Sequence, residues 1–102
     1  MLRHKFRAKP CESDGIRFDS KLERKVYQDL VLKQKAGEIV GMLRQVPLHL
    51  PGKTKYVMDF LVFYSDGTCE GIEAKGFETD SWKIKSRLAA EIYPWLPIRI
   101  EK

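Results

Sequence analysis

The segment from Tyr56 to Gly76, YVMDFLVFYSDGTCEGIEAKG, sets the tightest limit on what this chain can fold into. Two runs rich in Val, Phe, Tyr and Ile flank Ser65-Asp66-Gly67, the pattern of a β-hairpin. Its strands also carry charge where strands seldom do: Asp59 on the first, Glu73 and Lys75 on the second. Acidic residues are depleted in strands, and charge on a half-buried sheet is costly. These groups therefore either face water or do chemistry.

Loop length decides between the two. A two-residue Asp66-Gly67 loop would set Asp59 opposite Ala74 and send the carboxylates of Asp59 and Glu73 to opposite faces. A three-residue loop, Ser65-Asp66-Gly67, makes facing residue numbers sum to 132 and sets Asp59 opposite Glu73. Gly67 then takes the left-handed position of a type I turn with a G1 bulge. A one-residue slip reverses every side chain, so the choice is decisive; the second register, or an equivalent bulge along the strands, is the one predicted. Side-chain alternation groups Asp59 with Leu61 and Phe63, and Met58 with Phe60 and Val62. Both sets are mainly apolar, which predicts a strand buried on both sides.

Around this hairpin the chain offers enough elements to cover it. KFRAKPCESDGIRF reads as a small hairpin turning at Asp14-Gly15. DSKLERKVYQDLVLKQKAG is the clearest helix, with Ser20 and Glu23 spaced as a capping box and Gly37 after its end. Leu22, Val26 and Leu30, with Tyr27 and Val31 beside them, form its apolar stripe. EIVGMLRQVPLHL is extended and predicted to break at Pro47. Pro51-Gly52 turns, and strands follow over 56–64 and 68–75. TDSWKIKSRLAAEIYP is a second helix, capped by Asp80 or Ser81 and stopped by Pro94, with Ile84, Leu88 and Ile92 inward. WLPIRIE closes as a strand. The order helix-strand-strand-strand-helix-strand predicts an α/β (α+β) fold, a mixed sheet flanked by helices. Residues 1–102 make one domain, with 1–18 as a basic arm and hairpin.

The chain is 102 residues and 43% hydrophobic, enough for one modest core. No apolar run nears the ~18 residues of a membrane span, and the N-terminus lacks the apolar block of a signal peptide. A cytoplasmic protein is expected. Nineteen Lys and Arg against fourteen Asp and Glu give a net charge of +5, compatible with a polyanionic partner. Cys11 and Cys69 sit in no CxxC or Cys/His cluster, so free thiols are expected and zinc is not.

Carboxylates facing across two strands lie ~5 Å apart at Cβ, close enough to share a divalent cation that relieves their repulsion. Mg²⁺ prefers hard oxygen ligands and keeps several waters. Asp59, Glu73 and the Ala74 carbonyl are the candidate ligands. Lys75 shares the Glu73 face and is placed to position an attacking water and stabilise charge on phosphorus. Such a pairing suits phosphodiester hydrolysis. Cross-strand ion pairs and solvated strand ends account for the same three residues without chemistry.

A helix with an acidic residue, a strand with Asp, a strand with Glu-x-Lys and a further helix together resemble the PD-(D/E)xK nuclease superfamily. KFRAKP, DGIRFDSKLER, GEI, RQVPLHL, KYVMDFLVF, DG and EAKG resemble short phage-encoded endonucleases within it, akin to endonuclease I and to junction resolvases. The resemblance implies a restriction-endonuclease-like core and a Mg²⁺- or Mn²⁺-dependent endodeoxyribonuclease. Branched or recombination-intermediate DNA is the implied substrate, in a bacterial host cytosol if the chain is phage-encoded. It assigns Asp59 and Glu73 to the metal, Glu23 to the same site, Lys75 to catalysis, and Gln45 to water beside the cation or to DNA. The Pro that often precedes the Asp is Met58 here. Arg3, Lys5, Arg7 and Lys9 on the arm, and Lys83, Lys85 and Arg87 on the second helix, are candidate DNA contacts. Trp82, Trp95, Phe6 and Tyr27 read as packing. A two-fold homodimer is expected only if duplexes or junctions are cut on both strands. The rival readings are a non-catalytic DNA-binding recombination module on a nuclease fold, and a small interaction protein whose charges are simply surface.

Overall fold

A computed structural model of the protein describes residues 10–102. Arg3, Lys5, Phe6, Arg7 and Lys9 lie outside the described residues. Strands β1 (Cys11–Ser13) and β2 (Ile16–Phe18) pair antiparallel around Asp14-Gly15, whose φ angles of 52° and 76° are both left-handed. A two-residue type I′ turn requires that, and Asp-Gly tolerates it. Helix α1 (Lys21–Lys35) begins where the Ser20 hydroxyl accepts from the Glu23 amide at 3.0 Å. It buries Val26, Tyr27 and Leu30.

The main sheet has four strands in the order β3 (Ile39–Leu50), β4 (Thr54–Tyr64), β5 (Cys69–Ala74) and β6 (Ile98–Glu101). The first two pairings are antiparallel and the last is parallel, reached through helix α2 (Asp80–Ile92). The fold is thus mixed α/β, two helices on a mixed sheet with a small N-terminal hairpin, in the expected element order. The β4–β5 register follows the predicted sum: Phe60 faces Ile72 and Leu61 faces Gly71. Gly67 has φ of 92° in the three-residue loop, and the Thr68 carbonyl accepts from Tyr64.

Three expectations fail for identifiable reasons. Strand β3 runs straight through Pro47, which pairs with Val57; it is an edge strand, where a missing N–H costs no ladder bond. Helix α2 is capped one residue early, by the Thr79 hydroxyl accepting from the Trp82 amide at 3.1 Å. Its stripe is also rotated: Ile84 and Ile92 are 56% and 40% exposed, while Trp82 and Ala89 are buried. The indole carries more apolar area than any one Ile, and it sets which side of the helix meets the sheet.

Two cores flank the sheet. Phe60, Val62 and Ile72 pack with α1 and Phe18; Leu48, Leu50, Tyr56 and Met58 pack with α2 and Leu96. Gly71 faces the second core, since a Cβ there would come within 2.5 Å of the Met58 sulfur. Ile72 and Gly71 are adjacent, so the two helices cover opposite faces. Met58 and Phe60 should then share a face, yet they do not. The strands reverse their sides at Gln45 and Asp59, the pair that the β3–β4 ladder skips. Gln45 has φ of 53°, a left-handed backbone that places the consecutive residues Arg44 and Gln45 both on the α1 side. This reversal corrects the simple alternation expected of β4. It also leaves that strand only partly covered, with Val57 and Phe63 exposed.

Candidate functional site

Beyond Ala74 strand β5 ends while β4 continues to Thr54, so the β4–β5 ladder opens at Asp59 and Glu73. The two carboxylates close the opening. Glu73 Oε1 accepts from the Asp59 amide at 2.7 Å, and Asp59 Oδ2 accepts from the Ala74 amide at 2.9 Å. Each side chain thus satisfies a backbone donor of the other strand, a donor that would be costly to bury alone. The register set them opposite each other as predicted, but the reversal at Asp59 changes how they meet. They occupy the seam between strands. Asp59 is turned to Gln45 on the α1 side, and Glu73 to Trp82 on the α2 side.

Glu23 joins from α1. Its Oε2 accepts from Gln45 Nε2 at 3.0 Å, and the same Gln45 amide reaches Asp59 Oδ1 at 3.5 Å. Arg44 lies 3.6 Å from Glu23, its guanidinium 4.6 Å above the centre of the Phe18 ring. Ser20 does cap the helix, yet the Glu23 carboxylate faces the site rather than completing a capping box. Gln45 holds a left-handed backbone, a conformation that costs a non-glycine residue ~1 kcal/mol or more. That strain sits on the residue whose amide bridges Glu23 and Asp59, the kind of place where strain marks function.

Glu23 is 4% exposed and Glu73 is 2% exposed. Burial first, and the negative charge of Asp59 second, push the Glu73 carboxyl up to about 7. Burial also raises Glu23, again with help from Asp59, against the lowering effect of Arg44. Asp59 is raised by burial, and the Ala74 amide and Lys75 oppose the shift. Burial is the main cause at all three acids, and the like charge of Asp59 adds to it at Glu23 and Glu73.

Among the described residues Lys75 is a cation whose charge acts on both Asp59 and Glu73. Its ammonium stands 5.7 Å from the centre of the Trp82 ring, and no carboxylate among the described residues comes within 4.0 Å of it. Its backbone amide donates to Glu101, which continues the β5–β6 pairing and fixes where the side chain starts. Lys75 and Glu73 share the α2 side, as alternation predicts.

Three residues complete the site that sequence reasoning left out of it. Trp82, read as packing, is buried and also donates its indole N–H to Glu73 Oε2 at 3.2 Å. Tyr56 is 3% exposed, and its hydroxyl has no hydrogen-bond partner among the described residues. Burial pushes that phenol upward, and the charge of Glu73 adds to the effect. Arg44 compensates Glu23. The only sequence signal for Trp82 was its place seven residues after Lys75, which is too loose to name a partner. Lys83 and Arg87 are exposed and Lys85 is half-buried on α2. Trp95 is 69% exposed and Tyr27 is core.

A divalent cation fits this donor set in a limited way. Among the described residues no group of three or more His, Cys, Asp and Glu side chains converges as ligands. Asp59 and Glu73 are hard oxygen donors with lone pairs left after their amide bonds, and Ala74, whose carbonyl is the third candidate ligand, directly follows Glu73 on β5. Two carboxylates completed by solvent is the habit of Mg²⁺. Glu23 reaches the pair through Gln45 rather than directly. Cys11 and Cys69 are unpaired. No described helix is long and apolar enough to cross a membrane.

A family model described as "Protein of unknown function (DUF1064)" matches residues 3–100, and the chain belongs to that family. No curated protein and no solved structure matches the chain.

Proposed function

We propose that this member of the DUF1064 family is a metal-dependent endodeoxyribonuclease of the PD-(D/E)xK kind. The observation that carries the reading is the seam itself: Asp59 and Glu73 locked across the opening of two strands, with raised carboxyl pKa values and Lys75 beside them. A structural ion pair needs no such arrangement, because Lys75 would simply close onto an acid. Here the acids are held apart from it by backbone amides.

Asp59, Glu73 and the Ala74 carbonyl would hold Mg²⁺ or Mn²⁺, which when bound supplies Lewis-acid charge at phosphorus and favours the ionised carboxylates. The chain's own residues do the rest. The Ala74 and Asp59 amides fix both carboxylates before substrate arrives, so little reorganisation is needed. Trp82 fixes the rotamer of Glu73. Gln45 ties Asp59 to Glu23 and keeps an N–H beside the carboxylate edge. Lys75 Nζ orients a water for in-line attack and offers positive charge to the phosphoryl oxygens as they become more negative. Branched or recombination-intermediate DNA is the substrate implied by the resemblance, and cutting both strands would call for a two-fold homodimer.

The test is direct. The protein is incubated with linear duplex, single-stranded and four-way-junction DNA, with and without Mg²⁺, beside Asp59→Ala and Lys75→Ala. Metal-dependent cutting that falls at least a hundredfold in both variants is expected. Equal cutting by all three proteins means a contaminant. Among the described residues no three carboxylates converge as ligands, which favours one rival, a DNA-binding module without catalysis. Salt-sensitive DNA binding with no cutting at any Mg²⁺ or Mn²⁺ concentration establishes that rival instead.

A further inference from the structure

The reversal of β3 and β4 at Gln45 and Asp59 has a consequence for the far half of their hairpin. On the near side, α1 covers the face that carries Phe60 and Val62. Past the reversal, the α2 side takes Leu48, Leu50, Tyr56 and Met58, and among the described residues no element covers the α1 side. Pro47 opposite Val57 and His49 opposite Lys55 make up that bare face, and all four are exposed. It starts at Gln45 and Asp59 and ends at the hairpin tip, Pro51-Gly52-Lys53.

Its charge is one-sided. Residues 46–58 contain Lys53, Lys55 and His49 and no acid, in a chain with fourteen Asp and Glu. Its backbone is held firmly. The Tyr93 hydroxyl donates to the His49 carbonyl at 2.8 Å from the covered side, and the Thr54 hydroxyl closes the tip onto Pro51 at 3.0 Å. Lys53 has φ of 58°, a left-handed backbone on a residue with no conformational liking for it. A Gly or Asn there would be easier to fold, so the lysine side chain is what the position supplies.

We infer that this bare face of the β3–β4 ribbon binds the phosphate backbone of duplex DNA that leads to the Asp59 seam, through Lys53 and Lys55. The inference rests on the nuclease reading for where the DNA goes, but the contact itself needs no cleavage. At ~3.3 Å per residue, Lys55 stands about 13 Å and Lys53 about 20 Å along the ribbon from Asp59. With ~3.4 Å of duplex axis per base step, that span covers roughly four to six steps beside the cut. A flat ribbon with a helix at its back can lie along a backbone in this way, and each lysine would release about one counterion from it.

The test is a salt titration of binding to a fluorescein-labelled 20-base-pair duplex in EDTA, so that no cutting enters. Wild type is compared with Lys53→Ala/Lys55→Ala and with Lys33→Ala/Lys35→Ala, a charge-matched control at the exposed end of α1. The ribbon variant is expected to bind about tenfold more weakly at ~0.1 M salt and to lose nearly 2 from the slope of log K against log salt; the control loses less than half as much. Both pairs are exposed, and matched circular dichroism and melting curves confirm folding. Equal losses in the two variants overturn the inference, because net charge alone then explains binding. So does a wild type that binds no duplex. A full ribbon effect without cutting under Mg²⁺ leaves the inference standing and removes the nuclease reading alone.

Discussion

Glu73 offers a test that needs neither substrate nor metal. Its carboxyl is raised from an ordinary 4.5 to about 7, by burial first and by Asp59 second. Between those values the folded protein keeps a proton that the unfolded chain has released. Where the native state binds more protons, stability falls as pH rises. A displacement of about 2.5 in pKa at 1.36 kcal/mol per pH unit gives a ceiling of about 3 kcal/mol, lost between pH 4.5 and 7. Asp59 and Glu23 are raised as well and act in the same direction. With a urea slope of roughly 1–2 kcal/mol per molar, the metal-free protein should lose about 2 M in its unfolding midpoint from pH 5 to pH 8. Glu73→Gln removes this titration. Both Glu73 oxygens accept from donors, the Asp59 amide and the Trp82 indole, so the carboxamide must forfeit one of those bonds. The variant should therefore start about 1–2 kcal/mol less stable at pH 5 and draw level with wild type, or pass it, by pH 8. Urea titrations at half-unit pH steps in EDTA measure both curves. A wild type whose stability is flat or rising over this range, or a Glu73→Gln curve parallel to it, would refute the reading of a buried, proton-holding acid.

Four other outcomes follow from the same geometry. At pH 8, adding MnCl₂ should raise the melting temperature of wild type and leave Asp59→Ala unchanged, since binding stabilises only a folded site that has its ligand; calorimetry of the same pair gives the affinity. Gln45→Gly should separate strain from function: relief of the left-handed backbone should keep stability within ~1 kcal/mol of wild type, while DNA cutting falls tenfold or more as the Glu23–Asp59 bridge is lost. Trp82→Phe keeps most of the ring but drops the indole donor, so it should cost about 1–2 kcal/mol and raise the Glu73 pKa further, read by carboxyl NMR. Gly71→Ala places a methyl within 2.5 Å of the Met58 sulfur and 3.3 Å of Ile98, so it should destabilise by about 1–3 kcal/mol in urea titration.

What could be read from the sequence was local, and what could not was settled by distant contacts. The Asp59–Glu73 register came from one loop, because Ser65-Asp66-Gly67 with a left-handed Gly leaves one way to pair the strands. The α1 cap was equally legible, since Ser20 and the Glu23 amide are three residues apart. The reversal at Gln45 had no such signal. A period-two pattern assumes one backbone state throughout a strand, and nothing in RQVPLHL marks the residue that departs from it. Only α1 starting near Glu23 and α2 packing the other side of the hairpin make the two halves of β3 and β4 bury opposite faces. The same reasoning explains α2, where an aliphatic stripe and an indole pointed in different directions and the sheet accepted the indole. The errors and the site coincide for a physical reason. A carboxylate can reach both a helix on one side and an opening strand pair on the other only where regular alternation fails. The irregular step therefore places Asp59 at the seam, and a β3 in which Gln45 kept an ordinary extended backbone would turn its amide away from Glu23.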